Sequence, residues 1–483
     1  MQVAGKLVKS FAWDFSGRLG NQAVSFVIGI ILARILSPKE YGLIGMAMVF
    51  ISISGIFTSF GLGSALVQRK APDENHYSSS FYFNIIVAIF LSVFFVLTAP
   101  LIARFFKEPQ LINIIRILSL NLILSGFTIV QNAILTRELR FYVLAKARII
   151  TTVTSGLIGI TLAYSGFGVW SLVVQTLSGS LIMSIYIWYA NSWRPILKFK
   201  IQALRDLWSF GFHMFLNNVV NTLYDSTSTL IIAKVFSPVD LGLYSRANSL
   251  NRFVIKYSSE SISSVIYPSM AQLQDNKAEL IRMGAKGQVL TSFVTFGLLG
   301  ILFLTAEPLI NLLLGKKWIG AIQLYKILCL SGFAIPLSAV TTNMFKAFGS
   351  SKEFLIEDLI KKGVGFLSMG IGFLYGIEGF LYSLILTGVF SVLLDMYYVE
   401  KILNYKLYEQ IRAIWIYPII AIVEVLIIGF FLRSINSQVL NLVLSSITFL
   451  FLYILINRAL ETSGYKLFSS QLISFLRFNR YKN

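Results

Sequence analysis

Residues 237–268 read SPVDLGLYSRANSLNRFVIKYSSESISSVIYP. Ser237 suits an N-cap, Pro238 the first helical position, and Asp240 the third residue whose carboxylate bonds back to the cap. The helix that follows, ending near Pro268, is long enough to cross a bilayer. Yet it carries Arg246, Arg252 and Lys256 inside that span. Cations at such depth are costly unless they face a watered, protein-lined cavity. The stretch also has an echo: LARILSPKEYGL at 32–43 matches IAKVFSPVDLGL at 232–243, offset by 200 positions.

Composition sets the class. The 483 residues are 56% hydrophobic and 13% charged, against about 25% charged in soluble domains. The expectation is an all-α polytopic membrane protein. A net charge of +19 raises nucleic acid as a partner, but the basic residues sit in short loops between apolar runs, where membrane orientation explains them. Nucleic acid is therefore excluded. One cysteine, Cys329, rules out an intramolecular disulfide and a zinc cluster. No cleavable signal peptide is visible, because the first apolar run outlasts a signal core.

Fourteen spans are expected, near 13–36, 41–68, 79–103, 111–136, 142–164, 168–190, 208–236, 241–268, 287–313, 321–347, 353–375, 378–399, 413–433 and 438–458. Of the 41 Lys and Arg, about 27 fall on one side and about 6 on the other, which places both termini in the cytoplasm. The echoes continue in order. RILSL at 116–120 matches KILCL at 326–330, and GFGVWSLV at 166–173 matches GIEGFLYSLI at 376–385. Two homologous six-span halves follow, in parallel orientation about an axis along the membrane normal. The expected organisation is an N-lobe at 1–190, a basic cytoplasmic linker at 191–207, a C-lobe at 208–400, two appended spans at 401–460 and a basic cytoplasmic tail at 461–483. That tail reads either as an amphipathic helix on the inner leaflet or as unstructured chain.

Polar residues in the spans form stripes. Asn248, Arg252, Lys256, Ser259 and Ser263 share one face of the eighth span. In the preceding span Asn217, Asn221 and Asp225 recur every four residues. Asp225 lies at the depth of Arg252, so the two form either a structural buried pair or a cavity-lining one. The first span carries Arg18, Asn21, Gln22 and Ser25 on a common face. Arg18 reads either as a cavity-facing cation or as one that snorkels to the cytoplasmic surface, and the polar groups of the second, fourth and tenth spans read also as glue between helices. His76 and His213 belong to no triad or metal set by spacing, so neither a catalytic residue nor a metal or cofactor site is expected. Glu424 lies in an apolar span and has no assignment.

The stretches GRLGNQAVSFVIGIILARILSPKEYGLIGM, FGLGSALVQRK, FKEPQL, GFGVWSLVVQ, WRP, SPVDLGLYSRANSL and EPLINLLLGKKW cover nearly the whole chain. Together they resemble the Wzx-type polysaccharide transporters, nearest the colanic-acid-exporter branch of the multidrug/oligosaccharidyl-lipid/polysaccharide superfamily. The resemblance implies a flippase, not an enzyme, in a bacterial inner membrane. It implies two six-helix lobes around a central cavity, alternating access, and an undecaprenyl-pyrophosphate-linked oligosaccharide as substrate. Membrane lipids, a polysaccharide polymerase and its chain-length machinery are the implied partners. Arg18, Arg252 and Lys256 are the positions that match the cavity cations of relatives. Asn21, Gln22, Asn217, Asn221, Asp225 and Asn248 would be cavity-polar or pairing groups. Two rivals remain. An ion-coupled drug or cation antiporter would favour cavity carboxylates, and a membrane polymerase or ligase usually needs a sizeable outer loop.

Overall fold

The structure, a computed structural model, describes residues 2–432, 435 and 437–480, with side chains except at 2–12, 14, 15, 253, 254, 256–265, 267, 268, 351, 472 and 474–480. All its regular structure among these residues is helical. Contacts divide the chain into two compact units, 1–245 and 246–483. In the first, α1 spans Gln2–Ile35, α2 Pro38–Ser59, α3 Leu62–Gln68, α4 Glu74–Phe106, α5 Leu111–Leu118, α6 Leu120–Arg137, α7 Phe141–Tyr164, α8 Val169–Ala190 and α9 Ile201–Val235. Helix α10, Pro238–Ala271, starts there and continues into the second unit. The second unit adds α11 Lys277–Leu304, α12 Ala306–Leu313, α13 Ala321–Ser331, α14 Ala334–Ala347, α15 Ser351–Phe373 and α16 Gly376–Leu403. It ends with α17 Leu407–Ile414, α18 Ile416–Leu432, α19 Gln438–Ala459 and α20 Ser463–Arg480.

Among the described residues, eleven helical stretches are long and apolar enough to cross a membrane. Some are two helices in line, as at Leu111–Arg137. Helices α9, α10 and α15 have 35, 34 and 23 residues. They match three expected spans but are too polar to qualify on composition. Eleven and these three are compatible with fourteen crossings.

Helix α4 shows how a membrane helix divides its faces. On α4 most buried residues are small or polar, among them Ser78, Ser79, Ser80, Asn84, Ala88, Ser92, Ala99 and Ala103, with Phe81, Phe95 and Phe106 the large exceptions. Its exposed stripe is Ile86, Phe90, Val93, Leu97 and Leu101. Small residues let membrane helices approach closely, while large apolar ones suit lipid.

The repeated turn forms as its sequence requires. Ser237 N and Oγ both donate to Asp240 Oδ2, at 3.1 and 2.7 Å, and Asp240 N donates back to Ser237 Oγ at 3.1 Å. The first copy does likewise, with Ser37 N and Oγ donating to Glu40 Oε2 at 2.6 and 2.8 Å. The two copies also pack on each other within the first unit. A Cβ on Gly42 would lie 1.7 Å from the Pro238 carbonyl oxygen, and one on Gly242 would lie 1.8 Å from that of Pro38. Such reciprocity is what a two-fold relation between repeats produces.

Two boundaries differ from the sequence reading. Helix α10 runs past Pro268 to Ala271, because proline removes one backbone hydrogen bond and kinks a helix without always ending it. The linker is irregular only to Lys200, since α9 starts at Ile201. Its backbone is held by serines of α4: Ile196 N donates to Ser78 Oγ at 3.0 Å and Lys200 N to Ser79 Oγ at 2.9 Å. Asn191 Nδ2 donates to Gln131 Oε1 at 2.6 Å, and Trp193 Nε1 to Glu74 Oε2 at 2.8 Å. Helix α9 then packs on α2, α3 and α4, so the packing boundary falls after Ser245, later than the linker at which the repeats were divided. The tail after Thr462 is a helix, α20, whose start packs on α11 and α19. Gly464 N donates to Tyr417 Oη at 2.8 Å, and the Phe468 and Phe293 rings lie 5.6 Å apart.

Candidate functional site

In the first unit, α1 lies along α7 with close backbone approach. A Cβ on Gly17 would meet Ala145 Cβ at 2.4 Å, and one on Gly156 would meet Ile28. Between these levels Thr152 Oγ1 donates to Asn21 Oδ1 at 2.6 Å. Asn21 therefore fastens α1 to α7, with only part of its surface open. Arg18, one residue past Gly17, is exposed, and Gln22 is half-buried. Arg148, three residues past Ala145 on α7, stands within one helical turn of Arg18's level. The sequence reading passed over it, although a cation several residues inside the span starting at Phe141 was a usable signal.

On α9, Asn217, Asn221 and Asp225 are all exposed and form one ladder. Asn221 Nδ2 donates to Asn217 Oδ1 at 3.3 Å. His213, on the same helix, is exposed and lies 2.6 Å from the Ser209 carbonyl oxygen. In the second unit's part of α10, Asn248 is half-buried and Arg252 exposed. The Lys256 side chain, with those of Ser259 and Ser263, lies outside the described residues. Buried Asn251, which the stripe analysis missed, donates to the Leu328 carbonyl of α13 at 2.9 Å. It anchors the face of α10 that adjoins the Asn248–Arg252 stripe.

The second unit holds two further features. An apolar cavity of about 500 Å³ is lined by Phe296, Phe303, Cys329, Phe333, Val389 and Val425, among others. Between α15 and α16, Lys361 forms ion pairs with both Glu357 and Asp395. The two carboxylate side chains are 1% and 0% exposed. Neither was anticipated. Glu357 and Lys361, four residues apart, read like an ordinary surface pair, and Asp395 belongs to another helix. Among the described residues, no group of three or more His, Cys, Asp or Glu is placed to hold a metal ion.

Chemically, α1, α9 and α10 expose cations and amides along helices of bilayer length. Arginine presents a planar fork of donors to phosphate oxygens, and asparagine amides suit sugar hydroxyls.

Residues 31–323 match the family described as "Polysaccharide biosynthesis protein". The chain is 26% identical over 341 residues to the succinoglycan biosynthesis transport protein ExoT of Rhizobium meliloti strain 1021, covering 69% of this chain and 68% of that one. It is 23% identical over 338 residues to the lipopolysaccharide biosynthesis protein WzxC of Escherichia coli strain K12, covering 69% and 68%. Among solved structures, the lipid II flippase MurJ in its inward closed conformation superimposes with a TM-score of 0.75 at 15% identity, covering 94% of this chain and 99% of that one.

Proposed function

The chain belongs to the polysaccharide biosynthesis protein family, and from that premise we propose that it is a flippase for undecaprenyl-pyrophosphate-linked oligosaccharides. It moves them across a bacterial inner membrane by alternating access, with both termini in the cytoplasm. The observation that carries this reading is the exposure of Arg18, Asn217, Asn221, Asp225 and Arg252 on helices long enough to span a bilayer. Exposed charge at that depth is tolerated where it lines water, not where it meets lipid.

Each part of the substrate then finds its chemistry. The pyrophosphate is drawn by Arg18, Arg252 and Lys256. Sugar hydroxyls are met by the amides of α9 and by Gln22 and Asn248. The polyprenyl tail stays in lipid throughout. Outward movement of the anionic head is favoured by an inside-negative potential at about 2.3 kcal/mol per charge per 100 mV.

The test is movement of a fluorescent undecaprenyl-pyrophosphate oligosaccharide in vesicles holding purified protein. Arg252→Ala with Lys256→Ala should slow it at least tenfold, with unchanged thermal unfolding. Arg18→Ala should slow it less. Undiminished flipping by a folded double variant removes α10 from the mechanism.

A further inference from the structure

The Glu357–Lys361–Asp395 cluster lies on neither of the polar stripes. Both carboxyl groups are buried, and Glu357 Oε2 and Asp395 Oδ2 have no hydrogen-bond partner. Both are paired with the single Lys361 ammonium, which sets the two carboxyl groups beside each other. Two carboxyl groups can bond to each other only if one carries a proton. Leaving both ionised sets like charges side by side in a buried site.

Lys346 of α14 interacts electrostatically with both carboxylates, with Lys361 and with Asp358 of α15. Lys346 places its ammonium 3.6 Å from the centre of the Phe354 ring. Asp358 is paired with Lys362 at 2.6 Å.

The other half of the repeat shows that the cluster is not needed to join the helices. Arg116 to Lys326 and Gly166 to Gly376 give an offset of 210 positions here. Glu357, Lys361 and Asp395 then correspond to Ala147, Thr151 and Ile185. Helices α7 and α8 pack closely without any charge at those positions, and Thr151 touches Met183 instead. A buried ion cluster that packing does not require is costly.

We propose that Glu357 and Asp395 form a proton-binding site, in which one proton bridges the two carboxyl groups and Lys361 balances the charge that remains. The proton is bound as the O–H of one carboxyl group and leaves as that group ionises, with no other bond changed. A proton fits better than a metal ion because the Lys361 ammonium already occupies the cation position between the carboxylates. Glu357 lies six residues into α15 and Asp395 eight residues before the end of α16, so both are about 9–12 Å from the same helix ends. In the proposed orientation these ends face the cytoplasm, and exchange of this proton accompanies the transport cycle. Only that last clause rests on the flippase reading.

Two measurements separate the claims. Infrared titration of the purified protein reads protonated carboxyl groups directly. The wild type should show a buried protonated carboxyl near neutral pH that Asp395→Asn and Glu357→Gln each abolish. Glu424, also buried and without a hydrogen-bond partner, is controlled by Glu424→Gln. If the single variants fail to fold, the triple variant Glu357→Leu, Lys361→Met, Asp395→Leu reproduces the uncharged arrangement of the other half and must lose the same band. In vesicles, imposing a pH gradient should change wild-type flipping severalfold and leave the triple variant's rate unchanged.

Wild-type spectra without the band show a static ion-pair cluster and overturn the proton site. A rate that follows sodium and ignores pH overturns it in favour of a metal ion. If no variant or wild type flips lipid, the flippase reading fails while the infrared result still decides the site.

Discussion

Gly42→Ala and Gly242→Ala probe the contact between the two repeated turns. An alanine Cβ at Gly42 would sit 1.7 Å from the Pro238 carbonyl oxygen and 2.5 Å from its carbon. Real Cβ contacts stay beyond about 3.0 Å, so the starts of α2 and α10 must separate by more than about 1 Å. The obstacle is backbone on both sides, so no rotamer change relieves it. Overpacking of this kind costs about 1–3 kcal/mol, and backbone against backbone belongs at the upper end. Gly242→Ala should cost the same through Pro38. The double variant should cost less than the two combined, because one separation relieves both clashes.

Gly55→Ala is the control. It lies in the same helix with nothing within 4 Å of its added methyl, so it should be neutral or slightly stabilising. Thermal unfolding in detergent measures the cost. Thiol labelling of Leu241→Cys, in a Cys329→Ser background, measures the opening. Leu241 is fully buried, so its labelling should be slow in the parent and faster in Gly42→Ala. In the proposed orientation these turns lie on the outer side, and the glycine variants should slow flipping. If Gly42→Ala unfolds and labels like Gly55→Ala, the turns do not meet as described.

Other parts of the first unit yield smaller, separable effects. Asn21→Leu and Thr152→Val should each destabilise, with a coupling of about 0.6 kcal/mol in a double-mutant cycle, the usual worth of a hydrogen bond between membrane helices. Near the start of α9, desolvation raises the Asp206 carboxyl, but hydrogen bonds from Gln202, and from His76 and Arg69 around the turn before α4, outweigh it and hold the group below its ordinary 3.8. A carboxylate lowered in this way stabilises the fold above that value and ceases to as pH falls through the lowered one. Unfolding temperature should therefore drop on the acid side of pH 4, and Asp206→Asn should be lower at neutral pH with a shallower acid decline. Arg137 donates to the carbonyls of Leu66, Val67, Arg69 and Lys70 at the end of α3. Arg137→Met should cost about 1.5–3 kcal/mol, the usual worth of hydrogen bonds to a charged group, read by chemical unfolding.

What could be read from the chain alone was whatever is local. The Ser-Pro-x-acid caps needed only four neighbouring residues, and both formed. Spans of apolar residues needed only length and composition. The linker's anchoring was not legible, because Ser78 and Ser79 bond to residues more than a hundred positions away and look in sequence like the start of a span. Asn251 escaped for a similar reason: its partner is a backbone carbonyl on α13, which no pattern of side chains announces. The Lys361 cluster failed on both counts, since half of it imitates a surface pair and the other half comes from the next helix.

Comparison of the halves separates scaffold from site. The turns at Ser37 and Ser237 share their caps and their glycine contact, and the symmetrical part of the chain holds helices together. Charge does not follow that symmetry. At the offset of 200, Arg252 replaces Ser52 and Lys256 replaces Ile56. Asn21 and Asn221 show why identity alone is not enough. The first is tied to Thr152 against α7, while the second joins an exposed ladder with Asn217. The same residue at the same repeat position is glue in one half and open surface in the other. Exchange of the two asparagines for leucine should therefore separate by assay: Asn21→Leu lowers stability and leaves flipping close to wild type, while Asn221→Leu leaves stability nearly unchanged and lowers flipping. Equal effects of the two on stability would mean that the α9 ladder is also packing, and would remove it from the substrate's path.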